Sequence, residues 1–142
     1  MMKKVLVVAS VLGLASAFAV QADKGGENRG ANVCKTSTLK GTYVYRSTGV
    51  VSSKEYAEIG TEVYDGRGNV TGIATDSDDD VAHNLVGTYS INADCTGTVH
   101  YTAPVELHED IVLGPKGDTF TFIDRSGAPG EVLSGQETRQ SN

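Results

Sequence analysis

The feature that most constrains this chain is the alternation of apolar and polar residues in short runs after Leu39. These runs are rich in Thr, Val, Tyr and Ile, and clusters of Gly, Asp and Asn separate them. Such a pattern is typical of β-strands joined by tight turns, with one apolar and one polar face on each strand. Eight strands are predicted, at residues 41–48, 56–64, 70–75, 85–92, 95–103, 105–113, 119–124 and 132–139, with a single helical turn at 36–40.

The apolar faces of these strands predict an all-β fold. Strands joined by short turns must bury one shared apolar face, and closing the sheet into a small barrel buries that face and removes the exposed edges. We therefore predict an eight-stranded antiparallel barrel, with a two-sheet β-sandwich as the alternative. The residues predicted to face the interior include Leu85, Tyr89, Ile91, Val99, Tyr101, Val105, Leu107, Ile111, Leu113, Phe120 and Phe122.

The beginning of the chain has the layout of a secretory signal peptide. Lys3 and Lys4 precede an apolar run from Val5 to Val20, and small residues lead up to Ala22. The apolar run is shorter than the roughly 20 residues that a membrane-spanning helix needs. We predict a signal peptide at 1–22, a flexible segment at 23–38 and a single domain at 39–142. The domain is predicted to be exported, periplasmic or extracellular, with no membrane anchor after cleavage.

The two cysteines of the chain are Cys34 and Cys95. An even number of cysteines in an exported chain predicts a disulfide. The bond would close a loop of about 60 residues, which the chain-entropy model values at roughly 4 kcal/mol of stability. A metal–thiolate pair is the alternative, but neither cysteine has a second ligand at short spacing.

The charge of the chain argues against two classes of partner. The sequence has 18 acidic and 12 basic residues, a net charge of −6. Cleavage after Ala22 would remove Lys3 and Lys4 and leave a net charge of −8. A nucleic-acid backbone or an anionic membrane surface would be repelled by this charge. A small hydrophobic ligand or a protein partner is the remaining expectation.

One stretch carries a resemblance to a known family. Residues 87–98 form a strand, a turn containing Asp94 and Cys95, and a strand rich in Thr and Gly. Segments 39–43, 64–72 and 134–140 accompany it in the same order, and together they extend over nearly the whole chain after residue 38. This arrangement resembles a family of small secreted bacterial proteins with calycin-like barrels of the allene oxide cyclase type. The resemblance implies a barrel and export, and it supplies no catalytic residue.

Glu109 is the most informative charged residue. By alternation it shares a face with Leu107 and Ile111, which are predicted to lie inside. A buried ionisable group costs free energy unless it is paired, and such groups are often functional. Arg46 is the predicted partner. The favoured alternative is a β-bulge at Glu109–Asp110 that turns the carboxylate outward.

Aromatic side chains supply most of the candidate binding surface. A barrel mouth lined with tyrosine suits a small flat ligand, although ordinary strand packing explains the tyrosines equally well. The candidate ligand-binding residues are Tyr43, Tyr45, Arg46, Tyr89, Tyr101, Glu109, Phe120 and Phe122.

Two groups of residues are weak candidates for metal ligands, and no cofactor is predicted. His100 and His108 are predicted on the polar faces of adjacent strands near Glu106, where they could bind zinc or copper. Asp76, Asp78 and Asp80 alternate as carboxylates do in calcium loops, but Val81 and Gly87 stand where an EF-hand needs Gly and Glu. Solvated surface residues are the alternative for both groups.

Three functions are compatible with the sequence. The first is an exported barrel, not an enzyme, that binds a small apolar or amphipathic molecule. The second is an envelope or surface interaction protein with a solid core and no pocket. The third is a cyclase-like or isomerase-like enzyme that uses Glu109, Arg46 and a tyrosine inside the barrel, and its main support is analogy of fold.

Overall fold

The strands of this protein pair in sequence order, each antiparallel to the next, until the last strand returns to the first. This arrangement was obtained as a computed structural model that describes residues 33–79 and 81–141. The strands are β1 (Lys40–Val51), β2 (Lys54–Asp65), β3 (Asn69–Asp76), β4 (His83–Ile91), β5 (Thr96–Ala103), β6 (Leu107–Leu113), β7 (Thr119–Asp124) and β8 (Val132–Ser141).

Closure of the sheet confirms the predicted barrel over the sandwich. β1 pairs with β2 on one side and with β8 on the other, for example Val44 with Thr61 and with Thr138. The ring therefore leaves no unpaired edge along which another strand could add. Side chains alternate between buried and exposed along each strand, as the sequence pattern predicted.

Small residues on the inner wall make room for large inward side chains. A Cβ at Gly60 would lie 2.5 Å from the ring of Tyr45, and a Cβ at Gly72 would lie 2.9 Å from Cγ of Glu62. A few large side chains therefore fill the barrel, and each lies against a glycine on a neighbouring strand. The apolar core consists of Leu39, Tyr43, Tyr45, Tyr64, Val70, Ala74, Leu85, Tyr89, Val99, Tyr101, Ile111, Leu113, Phe120 and Phe122.

One end of the barrel is covered by the segment that precedes β1. A 3-10 helix at Thr36–Thr38 lies within the region where a helical turn was predicted. It is held by the disulfide between Cys34 and Cys95, which confirms the predicted pairing. Leu39 follows the helix and is fully buried. We refer to this end of the barrel as the covered end.

The start of β6 departs from the predicted strands in a way that changes which residue lies inside. Val105 was predicted to begin this strand and face the interior, but the strand begins at Leu107 and Val105 is 57% exposed. Pro104, Val105 and Glu106 form the connection between β5 and β6 instead. Pro104 has no N–H to donate to a neighbouring strand, which explains why pairing ends at Ala103.

The signal peptide prediction at 1–22 falls outside the described residues, and so does most of the predicted flexible segment. Its last part, from residue 33 to 38, is described and contains the buried Cys34 and the 3-10 helix. Residues 33–79 and 81–141 contain no helix long and apolar enough to cross a bilayer.

Candidate functional site

A cavity of about 490 Å³ opens at the end of the barrel opposite the covered end. Inward side chains at this end of the strands line the cavity, and the connection from Pro104 to Glu106 forms part of its mouth. The apolar part of the lining includes Leu85, Leu107, Leu133 and Phe122. Its polar part is dominated by carboxyl and tyrosine groups, which gives the cavity two chemically different surfaces.

Three glutamates form the innermost polar group of this cavity. Glu62 on β2, Glu109 on β6 and Glu137 on β8 are each at most 6% exposed, and all three line the cavity. We call them the inner carboxyls. Each faces inward because it sits at an alternating position of its strand, and β6 pairs with both neighbours without a register shift at Glu109. The predicted outward bulge at Glu109–Asp110 is therefore wrong.

Two tyrosines hold the inner carboxyls in place. The Tyr101 hydroxyl donates to Glu62 Oε1 at 2.8 Å. The Tyr64 hydroxyl lies 2.6 Å from Glu62 Oε2 and 3.3 Å from Glu137 Oε1, so it bridges the two glutamates. Glu62 thus has a hydrogen-bond donor at each oxygen.

Two other inner oxygens have no such donor. Among the described residues, the buried Oε2 atoms of Glu109 and Glu137 accept no hydrogen bond from an amide, a hydroxyl or a basic side chain. The carboxyl of Glu137 can share a hydrogen bond with that of Glu62 only when one of the two is protonated. A buried polar atom left unpaired costs roughly 1–3 kcal/mol, and more if it is charged. These two atoms are therefore the positions where a donor from outside the chain would stabilise the cavity most.

Burial raises the pKa of all three inner carboxyls. For Glu109, burial is the main cause, and the nearby negative charges of Glu62, Asp124 and Glu58 add to it. Burial and the charge of Glu62 raise the pKa of Glu137 well above its usual range. Burial also raises the pKa of Glu62, although the hydroxyls of Tyr64 and Tyr101 act in the opposite direction. Burial in the cavity therefore shifts each of these carboxyls toward its protonated form.

A fourth glutamate, Glu58, lies closer to the mouth. Glu58 accepts hydrogen bonds from the hydroxyls of Tyr45 and Tyr56, at Oε1 and Oε2 respectively. Burial and the charge of Glu58 raise the pKa of both tyrosines, so they stay protonated as donors. Glu58, with its two tyrosine donors, thus lies between the mouth and the inner carboxyls.

No basic side chain of the described residues forms an ion pair with the inner carboxyls. Arg46 was predicted to pair with Glu109, but it is exposed on the outer face of β1, so this prediction is wrong. Its position follows from alternation, because the neighbouring Tyr45 and Ser47 face inward. Within residues 33–79 and 81–141, the inner carboxyls are therefore buried without a basic side chain that pairs with them.

Arg139 lies at the covered end. Its guanidinium donates to the Tyr43 hydroxyl at 2.8 Å and to the carbonyls of Thr38 and Gly117 at 3.0 Å each. It also pairs with Asp118 at 3.1 Å. These contacts tie the start of β1, the turn before β7 and the end of β8 together.

The predicted ligand-binding residues are divided between the two ends. Tyr45, Tyr101, Glu109 and Phe122 line the cavity. Tyr43, Tyr89 and Phe120 are buried core residues that lie outside its lining, near the covered end. There the Tyr89 hydroxyl donates to the Leu39 carbonyl at 2.6 Å, which uses its polar atom in closing the barrel.

The histidines and the acidic loop form two groups around the mouth. His100 and His108 meet at Glu106, as predicted from the strand faces. Asp76 and Asp79 meet at His83, whereas Asp78 is exposed and takes no part in this group. Asp80 lies outside the described residues.

Sequence reasoning overlooked Glu62, Tyr64 and Glu137 as interior groups. Their positions followed from the same alternation that placed Glu109 inside. On β2, Glu58, Glu62 and Tyr64 share one face with Gly60, and on β8, Glu137 shares a face with Leu133 and Gly135. The alternation was present in the sequence, but the inner faces of these two strands carry small and acidic residues in place of the apolar ones that mark an interior face.

The comparisons with known proteins add no relative. No protein-family model, no curated protein and no solved structure matches the chain.

Proposed function

We propose that this chain is an exported binding protein whose barrel takes up a small amphipathic molecule, with a protonated amine at its polar end. The observation that carries the proposal is the pair of buried, unpartnered carboxyl oxygens on Glu109 and Glu137. They line a cavity whose mouth is open. A ligand would complete the hydrogen bonding that the chain leaves unfinished.

The chemistry of the inner carboxyls selects the polar end of the ligand. An ionised carboxylate accepts hydrogen bonds and cannot donate them, whereas an ammonium group has three donors and no acceptor. An ammonium group beside Glu109 and Glu137 would also neutralise negative charge in a site shielded from water, where charge-assisted hydrogen bonds are strongest. A ligand carboxylate would instead add a further negative charge.

The cavity wall selects the rest of the ligand. Leu85, Leu107, Leu133 and Phe122 provide apolar surface between the mouth and the inner carboxyls. A volume of about 490 Å³ lies within the range of roughly 300–1,000 Å³ that is typical of small-molecule sites. A short alkyl or single-ring amine fits both surfaces.

The disulfide between Cys34 and Cys95 is compatible with an oxidising compartment outside the cytoplasm. Together with the predicted signal peptide, this supports export to the periplasm or the extracellular space. The presence of a cavity supports the hypothesis of a small-molecule binder over that of a surface interaction protein with a solid core. Arg46 was the predicted interior cation of the enzyme hypothesis, and its position on the outer face of β1 weakens that hypothesis.

A matched series of ligands tests the proposal. Octylamine, octanol and octanoate have the same alkyl chain and differ in the charge of the head group. Isothermal titration calorimetry at neutral pH is expected to show one octylamine bound per barrel, weaker binding of octanol and none of octanoate. Equal binding of octylamine and octanol would contradict the role of the amine, and the absence of binding by all three would contradict the binding function itself.

Two variants localise the site. Glu109→Gln removes an inner carboxylate with little change in size, and we expect octylamine affinity to fall at least about tenfold, because a buried ion pair loses one partner. Glu55→Gln is the matched control, since Glu55 is exposed on the outside of β2. It should leave affinity unchanged. An equal loss in both variants would place the amine outside the cavity.

A further inference from the structure

A second group of polar residues lies on the outer wall of the barrel, apart from the inner carboxyls. His100 on β5 and His108 on β6 are directly opposite each other in the strand pairing. Their imidazole rings are stacked, with centroids 4.0 Å apart and planes inclined by 10°. Because the backbone of two hydrogen-bonded strands sets this pairing, the two rings are brought together without any loop having to order itself.

Glu106 completes the group from the connection between the two strands. Its Oε1 atom lies 3.2 Å from Nε2 of His100 and 3.5 Å from Nε2 of His108. The three ligand atoms lie within 4.8 Å of one another. One carboxylate oxygen and two imidazole nitrogens are therefore gathered within ligand distance of one another on the outer wall.

These separations match those of atoms around one metal ion. Zinc binds His nitrogen at about 2.0–2.1 Å and carboxylate oxygen at about 2.0–2.2 Å, with tetrahedral geometry, so two ligands of the same ion lie roughly 3.4 Å apart. The measured separations of 3.2 and 3.5 Å from Glu106 to the two histidines are close to this value. Because the two rings are stacked nearly parallel, they would have to tilt toward each other to direct both nitrogens at one ion.

The chemistry and exposure of the group narrow the class of ion. Two imidazoles and one carboxylate suit Zn²⁺, Cu²⁺ or Ni²⁺, whereas Ca²⁺ and Mg²⁺ require mostly oxygen ligands. The side chains of His100, Glu106 and His108 are 39%, 72% and 56% exposed. An ion can therefore reach the group from solvent, and water can occupy its remaining coordination positions.

The group at Asp76, Asp79 and His83 is the main competitor. It has a single imidazole, and Nε2 of His83 lies 3.2 Å from Asp79 and 3.6 Å from Asp76. Oδ1 of Asp79, the oxygen that faces His83, already accepts a hydrogen bond from the backbone amide of Val81 at 2.8 Å. Fewer nitrogen ligands and a carboxylate already in use make it the poorer site for Zn²⁺.

We infer that His100, Glu106 and His108 form a binding site for a divalent transition metal ion, with Zn²⁺ as its representative. The site is independent of the proposed amine ligand. Glu106 also lines the mouth of the cavity. A bound ion would therefore attach the Pro104–Glu106 connection to β5 and β6 beside the entrance.

The three histidines of the chain allow a clean test, because two belong to the inferred site and one to its competitor. Zn²⁺ is titrated calorimetrically into the purified protein without a polyhistidine tag. We expect one ion per barrel, and a loss of affinity of at least about tenfold in His100→Ala and in His108→Ala, since even indirect partners of metal ligands contribute 10–100-fold. His83→Ala is the matched control and should bind as the wild type does.

Thermal unfolding checks that the variants remain folded and gives a second measurement. Both histidines of the site are partly exposed on the outer wall, so we expect the variants to unfold near the wild-type temperature without metal. Excess Zn²⁺ should raise this temperature in the wild type and in His83→Ala, but not in His108→Ala, because an ion that binds only the folded state stabilises it. Absence of Zn²⁺ binding by the wild type would overturn the inference. So would binding that depends on His83 rather than on His108.

Discussion

Glu109 shows how a single residue can be placed correctly by alternation while its environment is misjudged. Alternation put this carboxyl on the inner face of β6 although an outward bulge was favoured, and the structure finds it 6% exposed on the inner face. The partner was wrong, because Arg46 occupies an outward position of β1. Alternation gives the face of each strand independently, but it does not tell which side chains lie at the same depth in the barrel.

The raised pKa of Glu109 predicts a dependence of stability on pH. Its carboxyl holds a proton more tightly in the folded barrel than in the unfolded chain, because burial disfavours the charged form. The folded state therefore binds more protons between the two pKa values, and the free energy of unfolding falls as pH rises through that window. The contribution is fully present below the pKa of the unfolded chain.

Glu109→Gln should make this pH dependence shallower. Urea unfolding of the protein without ligand, measured from acidic to neutral pH, is expected to show a free energy of unfolding that falls less steeply with pH in the variant than in the wild type. The other inner carboxyls would keep part of the slope. Glu55→Gln, on the exposed face of β2, should retain all of it. An unchanged slope in Glu109→Gln would mean that Glu109 ionises freely.

At the scale of elements, local sequence signals predicted the strands well. The bounds of β7 agree at both ends, and the other strands differ by a few residues. Clusters of Gly and Asp mark the turns, and their preference for turn conformations depends only on the neighbouring residues, so strand ends can be predicted from the local sequence. The start of β6 was misplaced because Val105 continues the apolar alternation, whereas its exposure depends on how the connection crosses the barrel mouth.

The disulfide is an element-scale contact whose removal has a predictable cost. Cys34 and Cys95 are 61 residues apart and attach the 3-10 helix to the turn before β5. The double variant Cys34→Ala/Cys95→Ala is expected to lose roughly 4 kcal/mol of stability, because the unfolded chain regains the entropy of an open loop. Urea unfolding of the two proteins in parallel measures the difference. A loss below about 1 kcal/mol would show that the rest of the covered end, including Arg139, holds the segment in place without the bond.

At the scale of the whole molecule, the barrel could be predicted but its two different ends could not. A single apolar face over eight strands favours closure of the sheet over a two-sheet sandwich, and local patterns suffice to infer it. The inner carboxyls lie on β2, β6 and β8, and they meet only because the register of each strand pair adds up around the ring. Small shifts at Thr42/Tyr43 and Val86/Gly87 change that register without a local sequence signal.

The combination of these groups in one cavity predicts that amine binding releases protons. Without a ligand, burial raises the pKa of Glu62, Glu109 and Glu137 and favours their protonated forms. An ammonium ion is stabilised by ionised carboxylates, so it must displace protons from them. Octylamine affinity should therefore rise as pH increases from about 5 to about 8, a range in which an amine with a pKa near 10 stays charged.

Calorimetry in buffers of different ionisation enthalpy measures this proton release directly. The observed heat of octylamine binding should vary with the buffer, because the released protons are taken up by it, and the heat of octanol binding should not. Glu109→Gln should release fewer protons than Glu55→Gln, since one of the inner carboxyls is then absent. A heat of octylamine binding that is the same in every buffer would mean that the inner carboxyls do not change protonation when the ligand enters. In that case the ammonium group would lie nearer the mouth, beside Glu58, whose carboxylate already accepts hydrogen bonds from two tyrosine hydroxyls.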